Sequence, residues 1–169
     1  MRTSSIVQFT VMIALSFVCG VICFQLFDLQ QATALINLMD ARILQQDAPS
    51  IWQTILPLAI SIVIVVLFAT HPYCAFIAKW LIALRATFLG FSSVYLLAQQ
   101  KSLLAYGIWW FPFQFIYCIL LLAICLIVST KTRKMPKRGI LAPRRLIVMI
   151  IVFIVVACFE LVAISYVFK

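Results

Sequence analysis

Five apolar stretches, each about as long as a bilayer's hydrocarbon core is thick, dominate this chain. They run over residues 5–27, 51–70, 73–99, 103–129 and 146–168. A helix that crosses a membrane needs about 20 mostly apolar residues, because its backbone groups must pair within the segment. Of the 169 residues, 66% are hydrophobic and only 10% are charged. A soluble domain carries roughly 25% charged residues. A core of this size cannot hide so much apolar surface from water. The expectation is an all-α polytopic membrane protein with five transmembrane helices, forming a single membrane domain over residues 1–169.

The first span follows Arg2, as the apolar part of a signal peptide would. It is long for that role, and no Ala-x-Ala-like site follows, so a retained helix is expected. Residues 28–50 come next, with Asp28, Asp40, Asp47 and Arg42. Within them Ala32, Leu35, Ile36, Met39 and Ile43 recur at helical spacing. That pattern predicts a short amphipathic helix on the membrane surface. Packing on its own bundle and docking a partner through Leu35, Ile36, Met39 and Ile43 share this periodicity. The second span opens with Trp52, an interfacial aromatic, and carries Pro57 in its second turn. His71 is the one histidine and sits in the tight turn that follows.

The third span holds Lys79 and Arg85. A charge near the bilayer centre costs at least ~2.5–3.5 kcal/mol on insertion scales, so Arg85 is expected to face a partner and not lipid. Just beyond it the helix turns small, at Ala86, Gly90, Ser92 and Ser93. Ala86, Gly90 and Ser93 offer a face on which another helix can approach closely. The first half of the fourth span holds Gly107, Trp109, Trp110, Phe111, Pro112, Phe113 and Gln114. Pro112 removes a helical hydrogen bond, so a kink is expected there, with a re-entrant break as the alternative.

Lys131, Arg133, Lys134, Lys137, Arg138, Arg144 and Arg145 form an acid-free basic loop before the fifth span. Much of the net charge of +9 lies there. Nucleic acid and anionic lipid both attract such a run. No nucleic-acid fold accompanies so short a loop, so a topology signal is the expectation. It places the amino terminus in the cytoplasm and the carboxyl terminus outside, with residues 28–50 also outside. The third and fifth spans then run in the same direction. Arg85 and Glu160 fall roughly 18 Å and 21 Å along them at 1.5 Å per residue. Equal depth predicts an Arg85–Glu160 pair, with Gln114 close enough to join it. Lys79 is shallow enough to snorkel to the cytoplasmic surface.

Six cysteines are present, all within the proposed spans. They lack CxxC spacing or a histidine partner, so small apolar packing is expected of them. No phosphate loop, HExxH, GxSxG or evident pair of catalytic carboxylates occurs. The expectation is a protein that is not an enzyme and takes no cofactor or metal.

The third and fourth spans read LRATFLGFSSVYLLAQQ and then WWFPFQF. Arg85, Gly90-Phe91-Ser92, Gln99, Pro112 with Gln114, and Phe159-Glu160 in the last helix follow one order of features. In these residues the chain resembles the stage II sporulation protein M family. Ala86 and Val94 stand where that family usually has glycines, and Phe113 where it has a polar residue. The resemblance implies a multi-pass scaffold in the mother-cell membrane of a sporulating bacterium. It implies partners outside that membrane, a lytic transglycosylase and an amidase-type peptidoglycan hydrolase, acting in septal wall remodelling and forespore engulfment. A different class stays open beside it. Arg85, Glu160 and Gln114 near a Pro-interrupted helix are also ingredients of a small transporter or permease subunit.

Overall fold

The computed structural model describes residues 2–44, 49–71, 73–99, 105–134 and 143–167. Every regular element among them is a helix. They are α1 (Arg2–Phe24), α2 (Leu29–Met39), a short 3-10 turn (Ala41–Ile43), α3 (Ile51–Thr70), α4 (Ala75–Ala98), a π-helical segment (Ala105–Trp110), α5 (Phe111–Lys134) and α6 (Pro143–Val167). All but α2 and the two short segments are long and apolar enough to cross a membrane.

Local chemistry sets several of the ends. Ser50 Oγ accepts from the Gln53 N–H at 3.3 Å, and Gln53 Oε1 accepts from the Ser50 N–H at 2.8 Å. This reciprocal cap satisfies two donors that the first turn leaves unpaired, and α3 starts at Ile51, where the sequence places the second span. The Cys74 N–H donates to the His71 carbonyl at 3.0 Å and closes the turn into α4. Pro112 is the second residue of α5, one residue beyond the end of the π-helical segment at Trp110. Helical structure runs through from Ala105, so Pro112 has no N–H to give within it, and the widened turn before it relieves the ring's clash with the preceding carbonyl.

Glycine decides how α1 meets α4. A Cβ on Gly20 would lie 1.9 Å from the Thr87 carbonyl oxygen, and one on Gly90 would lie 2.1 Å from that of Phe17. The two backbones are therefore in contact, with each glycine seated against the other helix. Phe24 stacks edge-on against Phe91 at 5.4 Å and extends the seam. The small face of α4 is thus filled by the chain's own first span, and Ala86 and Ser93 are buried with Gly90.

Helix α5 is the centre of the bundle and packs against α3, α4 and α6. Tyr117, Leu121 and Ile124 on it are buried among residues of those three helices. At one end α2 folds back over the bundle and buries Ala32, Ile36 and Ile43 against α4, the paired tryptophans and α6. Of the residues predicted on that apolar stripe, Ile36 and Ile43 are covered and Leu35 is partly covered, while Met39 stays exposed. Exposed Trp52 and Tyr166 mark one end of the bundle, and Tyr73, Phe76 and Trp80 mark the other, as interfacial aromatics do.

Candidate functional site

Two polar clusters lie inside the apolar bundle, and α5 carries a member of each. In the first, Gln114 Oε1 accepts from Arg85 Nη2 at 3.1 Å. Arg85 Nη1 donates to Ser61 Oγ on α3 at 2.7 Å. Ser61 in turn donates to the Pro57 carbonyl at 2.7 Å. In the second, Glu160 is 0% exposed. Its Oε2 accepts from the Tyr117 hydroxyl at 2.6 Å, and its Oε1 pairs with Arg42 Nη1 at 3.3 Å.

Arg42 comes from the 3-10 turn after α2, not from a span. Asp40 holds it in a two-point clamp, with Nη2–Oδ2 at 2.6 Å and Nε–Oδ1 at 2.8 Å. The same carboxylate accepts the Arg42 backbone N–H at 3.2 Å. The guanidinium also lies 5.8 Å from the centre of the Trp110 ring. Burial alone would pull its pKa down. The hydrogen bonds and charge of Asp40, with Glu160 behind, outweigh that and raise it, so Arg42 stays a cation. Trp110 is fixed from its other side, where Nε1 donates to Ser92 Oγ on α4 at 3.1 Å.

The expected Arg85–Glu160 pair is therefore not formed. The ion pairs within 4.0 Å among the described residues are both made by Arg42. Matched depth constrains height along the bundle but not rotation about each helix. Here α5 packs against both α4 and α6, with Gln114 engaging Arg85 and Tyr117 engaging Glu160. The Arg85–Gln114 contact is formed. Lys79 places its Nζ 5.2 Å from the Phe9 ring centre on α1.

Of the basic loop, Lys131, Arg133 and Lys134 end α5, and Arg144 and Arg145 lie in the first turn of α6. Lys137 and Arg138 lie outside the described residues. Sequence reasoning missed Arg42, Tyr117 and Ser61 as members of the polar interior. For Arg42 a signal exists: it is the one base among three acids in residues 28–50, two positions from Asp40.

Between α3 and α4, with α5 behind and Arg42 at one end, lies a cavity of about 320 Å³. Arg85, Ser61, Gln114, Asp40 and Arg42 line it together with apolar residues such as Ile64 and Phe88. Comparison with protein-family models, curated proteins and solved structures finds no match for this chain.

Proposed function

We propose that this chain is a non-catalytic membrane scaffold that holds peptidoglycan-degrading enzymes, of lytic transglycosylase and amidase type, at the outer face of the cell membrane. The work it serves on this reading is septal wall remodelling and forespore engulfment during sporulation. Support comes from the motif residues Arg85, Gly90-Phe91-Ser92, Pro112, Gln114 and Phe159-Glu160, and from one structural observation. Helix α2 and its turn are clamped to the bundle by Ile36, Ile43 and the Arg42–Glu160 pair, while Leu29, Leu38 and Met39 stay exposed. A rigid cap with an uncovered apolar edge suits docking better than a mobile loop, because less ordering entropy is lost on binding. The docking edge then consists of the neighbours Leu38 and Met39 at the end of α2, since Ile36 and Ile43 are already buried. The charge bias of the basic loop puts this cap on the outer side.

The test is affinity purification of the tagged chain from its source cells in mild detergent, followed by mass spectrometry. Recovery of extracytoplasmic peptidoglycan hydrolases is expected, with loss from Leu38→Asp/Met39→Asp. Absence of any such enzyme, or full recovery with the substituted cap, sinks the reading. The cavity at Arg85 favours a second reading, a permease subunit. Solute flux in proteoliposomes that Arg85→Gln abolishes would establish it.

A further inference from the structure

The cavity between α3 and α4 has unfilled hydrogen-bonding capacity of one kind. A guanidinium carries five N–H donors. Ser61 and Gln114 take one each from the two terminal nitrogens of Arg85, and its Nε is buried without a partner. Gln114 is 6% exposed and lines the same cavity. Its Oε1 is committed to Arg85, and its Nε2 is buried without a partner. The orientation of that amide is set by Arg85, because the flipped form would oppose donor to donor.

Nothing nearby balances these groups. Arg85 makes no ion pair among the described residues. The Ser61 hydroxyl hydrogen is spent on the Pro57 carbonyl. Asp40, the acid on the cavity wall, has both oxygens held by Arg42. What remains is a half-buried cation and two unpaired, buried donor atoms on residues that line one mostly apolar space, and buried donors of this kind are costly to leave unsatisfied.

We propose that this cavity binds an oxyanion, the phosphate or carboxylate head of a membrane lipid, on Arg85 and Gln114, with a small turn of the two side chains bringing the unpaired Nε and Nε2 to it. A planar guanidinium edge matches such groups in geometry as well as charge. The lipid source follows from the walls. Ile64 on α3 and Leu84 on α4 line the cavity and are exposed on the surface that faces acyl chains. The volume is at the small end for ligand sites, so it takes a head group while the tail lies along α3 and α4. This goes beyond the scaffold reading and depends on neither partner docking nor flux.

The test uses the purified full chain in mild detergent, with thermal unfolding followed during titration. The probes are dioleoyl phosphatidic acid and oleate, with dioleoyl phosphatidylcholine as the zwitterionic reference and inorganic phosphate as the soluble arm. A saturable rise in Tm with either anionic lipid, and none with phosphatidylcholine, is expected. Gln114→Glu sets a carboxylate beside Arg85 and fills the site from within. It should weaken the response about tenfold or more without lowering the lipid-free Tm. Lys137→Gln/Arg138→Gln should leave the response unchanged. Equal binding by Gln114→Glu overturns the site, as does loss of the response on neutralising the loop or an equal response to phosphatidylcholine. Inorganic phosphate as effective as the lipids overturns the lipid source.

Discussion

Arg42 Nη1 sits 3.3 Å from Glu160 Oε1, although 118 residues separate them in the chain. One belongs to the surface turn after α2 and the other to the last span, so the contact fastens the cap to the bundle. Removing one member of a buried pair strands the other charge, which costs ~3–5 kcal/mol. Arg42→Ala should therefore destabilise the purified protein by about that much, Glu160→Ala by less because Asp40 still pairs with Arg42 at 2.6 Å, and Arg42→Met/Glu160→Leu by clearly less than the two single losses combined. Thermal unfolding in detergent reads all three. Arg85→Ala with Glu160→Ala should instead show a smaller coupling than Arg42 with Glu160, since no ion pair joins them.

The Tyr117 hydroxyl bonds Glu160 Oε2 at 2.6 Å in a buried setting. Tyr117→Phe keeps the ring, which stacks on Phe153 at 5.3 Å, and removes only that bond. A loss of ~1.5–3 kcal/mol is expected for a bond to a charged group. A loss below about 0.5 kcal/mol, the size typical of a substitution that breaks no buried contact, would show that Glu160 is held by Arg42 alone.

Gly20 and Gly90 should tolerate no side chain. Their built Cβ atoms meet opposing backbone at 1.9 Å and 2.1 Å, and backbone cannot rotate away as a side-chain tip can. Gly20→Ala and Gly90→Ala should each cost ~1–3 kcal/mol by forcing α1 and α4 apart. Gly107 supplies the control, because nothing lies within 4 Å of its Cβ position. If Gly20→Ala and Gly107→Ala unfold alike, the close contact is not there.

Trp110→Phe deletes the bond to Ser92 at 3.1 Å and shrinks the ring beneath Arg42. The expected cost is ~1–3 kcal/mol from the lost bond and the space left behind. Ser92→Ala removes the same acceptor, so the two losses should overlap and not add in a double-mutant cycle.

The α3 boundary was legible from where the apolar stretch begins, with Trp52 at its start, while the Ser50–Gln53 capping box that fixes it came from the structure. The first and fourth spans drift by a few residues from expectation: α1 ends at Phe24 and α5 runs on to Lys134. Hydropathy marks where a helix meets lipid and not where its last hydrogen bond falls. Arg85 with Gln114 was legible because both are polar groups at one depth in neighbouring spans. Gly20 was not, since a single glycine in an apolar run carries no mark of what will press against it.

The sequence by itself determined an all-helical chain with five apolar helices, for a local reason. Length and hydropathy decide whether a segment is stable in lipid, whatever its neighbours are. It also determined that Arg85 and Glu160 would face partners inside the bundle, since charges within apolar helices turn inward, and of the two Glu160 is fully buried. Which charge met which was left to the tertiary structure. Rotation of each helix depends on how α5 packs among α3, α4 and α6 and on the Gly20–Gly90 contact that seats α1. That packing gave Glu160 to Arg42, a residue outside every span, and left Arg85 facing a cavity.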